Sequence, residues 1–333
     1  MTINNSPFQI TTSMVNQVAE IAELVGRLTV TNRFSSDSGL RRNNRIRTIY
    51  GSLAIEQDTL SREQVGAVLN GKHVLASPET ITAVKNAYEI YEKLDQLNPY
   101  NLDDLLMAHN IMTRGLTEES GVLRTQPVCV VDQGGQVLHY GSLPAHVPRL
   151  TERLLEQTKT SNVHMLIRSC VFHYEFELIH PFAEGNGRIG RLWHTLLLSK
   201  WNPLFAWLPI ESVIHDNQQA YYNAINQAND EVDCTAFVEF MLSIIKSSVL
   251  EAIDTSAEMS KYADKASARW AKIKGYLNLH DFIMNADVRD LCGVSAATAN
   301  RILNGLVEAG QLSQYREGKH WAYLLRSRTY KHS

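Results

Sequence analysis

Apolar residues recur every three or four positions through most of the first 260 residues, which is the spacing of amphipathic helices. Residues 165–178 differ from the rest because they are apolar on almost every side, and this pattern indicates a helix that is buried all round. The segment 78–97 carries its own start signal, with Ser77 before it and Pro78 in its first turn. The pattern predicts helices over residues 15–28, 46–56, 78–97, 102–113, 147–157 and 165–178.

Two short β-type runs interrupt these helices. Residues 128–131 (Val-Cys-Val-Val) and 137–140 (Val-Leu-His-Tyr) flank a turn that contains Gly134 and Gly135. Runs of this kind around a Gly-Gly turn are typical of a β-hairpin. The first part of the chain is therefore predicted to be mainly α, as a helical bundle that carries one β-hairpin.

The last part of the chain has a different pattern. Residues 286–291 and 295–309 read as two helices joined by a short turn that contains Gly293, with Ser295 as the N-cap of the second helix. Residues 312–316 and 320–324 then form a second predicted hairpin. Two helices followed by a hairpin predict a winged helix-turn-helix domain at 261–333, after a first region at 1–260. The junction between them is expected within residues 254–267.

The charge of the chain supports this division. The 333 residues suggest two domains, or three, and they include 32 Lys+Arg and 35 Asp+Glu for a net charge of −3. Residues 262–333 carry 11 basic and 6 acidic residues, which leaves 21 basic and 29 acidic residues in the remainder. The near-neutral total argues against a protein that coats nucleic acid through bulk charge.

Cysteine usage and hydropathy predict a cytoplasmic protein. The N-terminus lacks the charged and then apolar regions of a signal peptide, and the most apolar stretch, 192–210, is interrupted by Lys200, Pro203 and Pro209. The sequence therefore predicts no membrane partner. The cysteines are scattered without metal-ligand spacing, and each is expected to be a small core residue: Cys129, Cys170, Cys234 and Cys292.

The residues that carry chemistry are concentrated in one segment between two predicted helices, His180-Pro-Phe-Ala-Glu-Gly-Asn-Gly-Arg-Ile-Gly-Arg191. The Gly-Asn-Gly stretch lies where a helix begins, so backbone N–H groups and the positive end of the helix dipole can bind an anion. Arg188 and Arg191 can turn toward the same anion, and Glu184 is an oxygen ligand suited to Mg²⁺ on a polyphosphate. His180 can accept a proton near pH 7. Together these groups indicate phosphoryl or nucleotidyl transfer.

This segment resembles the signature of the Fic (filamentation induced by cAMP) family, H-x-F-x-(D/E)-G-N-G-R-x-x-R. The resemblance extends over roughly residues 40–245. Every specified position of the signature is matched: His180, Phe182, Glu184, Gly185, Asn186, Gly187, Arg188 and Arg191.

The resemblance implies transfer of AMP from ATP to a Ser, Thr or Tyr hydroxyl of a target protein. His180 would deprotonate the hydroxyl, Glu184 would hold Mg²⁺, and Arg188 and Arg191 would bind the β- and γ-phosphates. Removal of AMP and transfer of another phosphate-linked group remain open as alternatives. The expected nucleotide-binding positions are Glu184, Gly185, Asn186, Gly187, Arg188, Ile189, Gly190, Arg191, Tyr221, Tyr222 and Asn229.

Two further elements follow from the resemblance. Gly121 to Arg124 and the hairpin after it look like the family's flap, which holds the target peptide. Ser52 and Glu56 match the family's inhibitory helix, in which the glutamate is expected to pair in a bidentate manner with Arg191 and to deny it to the γ-phosphate. The match departs from the family at Gln57-Asp58, where Gly-Asn is usual. The expected flap residues are Val128, Cys129, Val130 and Val131.

A DNA-binding regulator is the competing class of function, and the predicted winged helix is the basis for it. Its second helix offers Thr298, Asn300, Arg301 and Asn304 as polar residues, but Arg301 is the only cation on that helix. Because phosphate contacts supply most of the affinity for DNA, a protein-docking or dimer-forming role is favoured. The wing region would add the cations Arg316, Lys319, Arg326, Arg328 and Lys331.

A second group of cations lies on the predicted helix before Glu56. Arginines at this density on one helix are expected to form a solvated or ion-paired face rather than a nucleic-acid patch. The group consists of Arg41, Arg42, Arg45 and Arg47.

Overall fold

The computed structural model describes residues 2–3, 6–30, 37–56, 60–131 and 137–326. The chain forms two compact units, Met1–Asp254 and Thr255–Ser333. The first unit is mainly helical, and α11 contributes residues to both units. Its helices are α1 (Thr12–Val30), α2 (Ser38–Ile55), α3 (Arg62–Leu69), α4 (Pro78–Glu92), α5 (Leu102–Thr113), α6 (Val147–Thr160), α7 (Met165–Ile179), α8 (Asn186–Trp201), α9 (Ile210–Asp216), α10 (Gln218–Glu231) and α11 (Thr235–Leu279).

The mainly helical fold predicted from the hydrophobic pattern is confirmed, with differences at the helix ends. The segment 46–56 is the second half of the longer α2, which begins where the Asp37 side chain accepts a hydrogen bond from the N–H of Leu40. The segment 78–97 ends as α4 at Glu92 and continues as a short 3-10 turn. The Ser77 side chain caps α4, as predicted, by accepting a hydrogen bond from the N–H of Thr80.

Helix α7 is the centre of the first unit. Cys170 and Tyr174 on one face pack in an apolar cluster with α1 and the first half of α11. Phe172, Phe176 and Ile179 on the other face belong to a second cluster with α4, α5 and α8. This double burial explains why the sequence of α7 is apolar on almost every side.

Helix α2 packs against α9 at a position where only glycine fits. A Cβ atom on Gly51 would lie 2.6 Å from the backbone of Glu211 and Ser212, which is well inside the van der Waals distance. Backbone atoms cannot turn away as a flexible side chain can. Gly51 therefore fixes how closely α2 approaches the rest of the unit.

We expect Gly51→Ala to lower the free energy of unfolding by about 1–3 kcal/mol, because the added methyl group overpacks a backbone contact. Gly26→Ala on α1 is the matched control, since no atom lies within 4 Å of its Cβ position. That control should be neutral or stabilising by up to about 1 kcal/mol. Chemical denaturation measures both variants, and equal stabilities for them would contradict the close approach.

The predicted hairpin is present as strands β3 (Cys129–Val131) and β4 (Val137–Tyr140), after a two-stranded N-terminal pair, β1 (Thr2–Ile3) and β2 (Ser6–Pro7). Cys129 pairs with Tyr140, and the N–H of Gly141 donates to the carbonyl oxygen of Val128 at 3.1 Å. The turn at 132–136 and the side chains of Val130 and Val131 lie outside the described residues.

The second unit contains the two helices and the hairpin expected from the sequence. They are α12 (Asn285–Cys292), α13 (Ala296–Glu308), β6 (Leu312–Glu317) and β7 (His320–Leu325), and a short strand that was not predicted, β5 (Ile283–Met284), completes a sheet of order β5-β7-β6. Ile273 and Leu277 of α11 join the core of this unit. The expected junction at 254–267 lies inside the continuous helix α11. The assignment of these elements as a winged helix-turn-helix domain stays a prediction.

The arginines of α2 make contacts within the first unit, in agreement with an ion-paired face. Arg47 pairs with Glu251 at 2.6 Å, and Arg45 pairs with Glu92 at 3.1 Å. Arg42 donates to the Asn70 side chain at 2.5 Å, and both Arg41 and Arg45 lie over the ring of Trp207.

Over the described residues, no helix combines the length and the apolar composition that crossing a membrane requires.

Candidate active site

The loop between α7 and α8 has two residues in the left-handed conformation, which turn the chain sharply at each end. His180 ends α7 with φ 53°, and Gly185 precedes α8 with φ 80°. Between them Phe182 is fully buried. The side-chain amide of Asn186 donates to the carbonyl of Phe182 at 2.8 Å and accepts from its N–H at 2.9 Å. The loop is thus closed on itself around one buried aromatic ring.

The side chain of His109 on α5 packs against this loop, and no sequence motif indicated this role. Its ring stacks on Phe182 with the ring centres 3.7 Å apart. Its Nδ1 atom accepts from the N–H of Gly121 at 2.9 Å, so its Nε2–H donates to the carbonyl of Glu184 at 2.9 Å. Burial lowers the pKa of His109 to about 4, and the hydrogen bond to Glu184 opposes this shift. His109 is therefore neutral, with one fixed tautomer, at physiological pH.

Arg124 fastens the loop to the base of the hairpin. It is 2% exposed. Its guanidinium donates to the carbonyl oxygens of His180 and Ser142 at 2.6 Å each, of Gln126 at 2.8 Å and of Ile179 at 3.2 Å. Five donors in a rigid plane suit such a set of acceptors. The sequence placed Arg124 at the start of the flap without indicating this role.

We expect Arg124→Met to lower the free energy of unfolding by about 2–4 kcal/mol, since it leaves several carbonyl oxygens without donors in a buried place. The substitution should also weaken binding of the target peptide, because the hairpin loses its connection to His180. Arg153→Met on the exposed face of α6 is the control and should change stability by less than about 0.5 kcal/mol. Denaturant unfolding of both proteins decides the matter, and a stable Arg124→Met protein would refute the fastening role.

One ring nitrogen of His180 is oriented by the end of α7. Its Nδ1 atom lies 3.3 Å from the carbonyl oxygen of Glu177. Because a carbonyl can only accept a hydrogen bond, this contact favours the tautomer with the proton on Nδ1. A Cβ atom on Gly141 would lie 3.2 Å from Cβ of His180 and 3.0 Å from Val128. The base of the hairpin is thus beside His180.

Arg191 pairs with Glu56, as the sequence predicted, although in a different geometry. One nitrogen, Nη2, donates both to Oε1 of Glu56 at 2.6 Å and to the carbonyl of Ser52 at 2.9 Å. The expected bidentate pairing is therefore wrong, because the helix end at Ser52 supplies the second acceptor. The hydroxyl of Ser52 is buried without a hydrogen-bond partner, so Ser52 contributes through its backbone.

The charges of this pair stabilise each other. The Arg191 side chain is 2% exposed and the Glu56 side chain is 39% exposed. Burial works against ionisation of Glu56, but Arg191, together with Arg188 and His180, lowers the Glu56 pKa below its usual value. Burial works against the charge on Arg191 as well, and Glu56 raises the Arg191 pKa above its usual value. The pair is consequently ionised at neutral pH.

The Glu56 carboxylate also lies beside the first turn of α8. A Cβ atom on Gly187 would collide with Oε1 of Glu56 and would lie 2.9 Å from Nη1 of Arg191. The first N–H groups of a helix have no acceptor within the helix, and the dipole there attracts negative charge. Glu56 thus takes the position that the sequence assigned to phosphate oxygens.

A cleft brings several of the expected residues together. Of the expected residues it is lined by Glu56, His180, Gly187, Arg191, Tyr221, Tyr222 and Asn229. The residues that sequence reasoning missed are Tyr174, Glu177, Leu178, Ile225 and Asn226.

The aromatic side of this cleft is held by hydrogen bonds. The hydroxyl of Tyr174 donates to Oδ1 of Asn229 at 2.9 Å. The hydroxyl of the buried Tyr221 lies 2.7 Å from Nε2 of His173, which is fully buried in α7. Tyr221 therefore supports the wall of the cleft with its ring, since its hydroxyl is turned to the core.

Six of the expected nucleotide-binding positions are outside the cleft lining, and three of them face the core, α7 or the loop itself. Ile189 is fully buried in the apolar cluster with Phe182, so its side chain cannot reach a phosphate. Gly190 faces Glu177 and Phe176 of α7, where a Cβ atom would be too close. The side chain of Asn186 is used within the loop, so only its backbone can serve a phosphate. A helix exposes one face to a ligand, and these positions lie on the other face of α8.

Glu184, Gly185 and Arg188 lie outside the cleft lining, with Glu184 exposed on the loop. Over the described residues no group of three or more His, Cys, Asp or Glu could hold a metal ion. A single exposed carboxylate nevertheless suits Mg²⁺, which keeps several waters and binds mainly to substrate phosphates.

Comparisons with known proteins agree with the signature. The model of the Fic/DOC family matches residues 99–198. The crystal structure of a Fic family protein from Desulfovibrio desulfuricans G20 is 39% identical, with a TM-score of 0.75, and the match covers 98% of this chain and 99% of that one. The chain therefore belongs to the Fic family.

More distant relatives carry the name of an activity. The protein adenylyltransferase Fic of Nematostella vectensis is 26% identical over 58% of this chain and 45% of its own length. The protein of the same name from Drosophila virilis is 28% identical over 62% of this chain and 43% of its own length. The chain thus matches less than half of the length of these curated relatives.

Proposed function

We propose that this protein transfers AMP from ATP to a hydroxyl side chain of a target protein and that Glu56 inhibits the reaction. The observation that carries the proposal is one cleft in which a histidine, a helix N-terminus and a buried arginine meet beside a β-hairpin. Glu56 occupies the anion position of that cleft. The names of the relatives support adenylyl transfer in particular.

The chemical step follows from the positions of these groups. The hydroxyl oxygen of the target forms a bond to the α-phosphorus, the bond from that phosphorus to the bridging oxygen breaks, and pyrophosphate leaves. The hydroxyl proton passes to Nε2 of His180, whose Nδ1–H is held by the carbonyl of Glu177. The N–H groups at the start of α8, including that of Gly187, stabilise the charge that develops on the phosphate oxygens.

Glu184 would hold Mg²⁺ together with the phosphate oxygens of ATP, and the ion would neutralise charge on the leaving pyrophosphate. Arg188 would donate hydrogen bonds to the β-phosphate. Arg191 would bind the γ-phosphate once Glu56 has left it, because a guanidinium binds phosphate as well as carboxylate. The base would lie toward Tyr222 and Asn229.

The hairpin would present the target. Its base is beside His180, and its strands offer backbone groups to an extended peptide, which can add to a sheet edge. This proposal covers Val128 and Cys129 together with Val130 and Val131, whose side chains lie outside the described residues.

Mass spectrometry of cell lysate tests the function without knowledge of the target. The lysate is incubated with ATP and Glu56→Gly protein, and hydroxyl residues are searched for the mass of an attached AMP. The same protein with His180→Ala is the control. Modification that depends on His180 would support the proposal, and unmodified hydroxyl residues in both samples would refute it. If the protein instead removes AMP from a target that was labelled beforehand, the result indicates the reverse reaction.

For the second unit we propose a docking or dimer-forming role. Asn300, a candidate base-reading residue, accepts a hydrogen bond from Asn285 at 2.6 Å, and Arg316 lies over the ring of Trp321. Two of the groups available for DNA are thus engaged within the unit. Arg328 and Lys331 lie outside the described residues.

We expect no mobility shift of random duplex DNA at micromolar protein and low salt, because few phosphate contacts are available to this unit. A measurement of the molar mass in solution, made on the same sample, tests whether the protein forms a dimer. A shift that weakens steeply with added salt would favour the DNA-binding regulator instead.

A further inference from the structure

Glu177 is an acidic residue of the cleft to which the reaction above gives no side-chain role. Glu177 lines the cleft, yet its Oε1 atom is buried without a hydrogen-bond partner, 2.6 Å from the place that a Cβ atom on Gly190 would take. Burial raises the pKa of Glu177 to about 7, Arg191 opposes the shift, and the charge of Glu56 adds to it. A buried acceptor without a donor costs free energy, and this cost is relieved when a donor arrives and the carboxyl group turns toward it.

The position of Glu177 along α7 indicates which part of a ligand it meets. Tyr174, Glu177 and His180 follow one another at intervals of three residues, and all three line the cleft. At a rise of about 1.5 Å per residue, each step is about 4.5 Å along the helix axis. Residues three apart also lie on the same side of a helix. Glu177 is therefore in the middle of a row that runs along the cleft.

The two ends of this row differ in chemistry. At one end His180 and Arg191 both act on the charge of Glu56, whose carboxylate lies beside Gly187, and this is the proposed anion-binding part of the cleft. At the other end the Tyr174 hydroxyl bonds to Asn229, and Tyr222 adds a second aromatic ring to the cleft. A nucleotide has the same order of parts, with phosphate at one end, an aromatic base at the other and a ribose between them.

We propose that Glu177 accepts hydrogen bonds from the ribose hydroxyls of the nucleotide and thereby selects ribonucleotides over deoxyribonucleotides. Ribose presents two neighbouring O–H donors, and a carboxyl group can accept from both. An acidic side chain on the sugar hydroxyls is a recognised solution in dinucleotide-binding folds of unrelated architecture. The proposal rests on the proposed function in one respect, the placement of ATP in this cleft.

Calorimetric titration tests the proposal on the full chain with Glu56→Gly, which leaves the anion site open. The ligands are ATP, 2′-deoxy-ATP and 3′-deoxy-ATP, so that the two hydroxyls are distinguished. With Glu177 present we expect at least one deoxy analogue to bind about tenfold more weakly than ATP, the usual value of a hydrogen bond to a charged group. Binding is measured without a target protein, so the result does not depend on AMP transfer.

Two substitutions separate recognition from a purely structural role. Glu177→Met keeps the length of the side chain without an acceptor, and it should bind ATP and the deoxy analogues equally. Glu177→Gln keeps one acceptor oxygen and should retain part of the preference. A structural role would instead weaken all three ligands together, and thermal unfolding of each variant shows whether the fold is intact.

Each outcome has a separate meaning for the two proposals. If ATP binds with a ribose preference that Glu177→Met leaves unchanged, the role of Glu177 is overturned. Equal binding of all three nucleotides to the protein with Glu177 overturns it as well. A ribose preference that depends on Glu177, without AMP transfer to any protein, supports the role of Glu177 and refutes the proposed function. Absence of nucleotide binding overturns both.

Discussion

Glycine in place of Glu56 is expected to raise AMP transfer by about 10- to 100-fold, since a charge-assisted hydrogen bond of about 1.5–3 kcal/mol no longer holds Arg191. The substitution also removes a carboxylate from the N-terminal turn of α8, where ATP would bring further negative charge. Glu56 is the C-cap residue of α2, a position that tolerates glycine. Incorporation of radioactivity from ATP labelled at the α-phosphate measures the change.

Two control variants separate the carboxylate from the helix end. Lys93→Gly places glycine at the equivalent end of α4 and should leave transfer unchanged. Glu56→Gln keeps the shape of the side chain without its charge and should give an intermediate rate. Because the Glu56 pKa is lowered, inhibition should persist at neutral pH and weaken only as the pH falls through that lowered pKa. Unchanged labelling with Glu56→Gly would show that the Arg191 contact does not limit the reaction.

Alanine in place of His180 is expected to reduce transfer by about 10²- to 10⁴-fold, which is the usual contribution of a general base. Binding of ATP should remain within a fewfold, since the anion site consists of Gly187, Arg191 and the helix end. Both values are measured on the Glu56→Gly protein, in which the rate is high enough to follow a large loss. His73→Ala, at an exposed position of a loop outside the cleft, is the control. Transfer that survives His180→Ala would assign proton removal to another group.

The sequence predicted those parts of the site that lie close together along the chain. The loop from His180 to Arg191 is a local motif. The apolar pattern of α7 directly indicated that this helix is buried. The contact from Arg191 to Glu56 could be predicted because a known family carries both motifs. The burial of the Ile189 side chain and the contact of Gly190 with α7 could not be predicted, because a sequence segment does not show which of its residues face the core.

The remaining parts depend on contacts between distant segments, and periodicity carries no signal for them. His109 supports a loop that follows it by 75 residues, and Arg124 bonds to carbonyl oxygens around His180, 56 residues further on. Glu177 resembles any polar residue within an apolar helix until the cleft beside it is known. The two units divide at Asp254, within the expected junction, but the continuous helix through that junction was missed because a Ser- and Ala-rich segment was read as a linker.

The most direct test of the account is a comparison of ATP labelled at the α-phosphate with ATP labelled at the γ-phosphate. Both are incubated with the Glu56→Gly protein and lysate, with and without His180→Ala. The account predicts that protein retains the α-label, that the γ-label leaves with pyrophosphate, and that His180→Ala removes the incorporation. Incorporation of the γ-label that depends on His180, or retention of the α-label without His180, would contradict AMP transfer at this site.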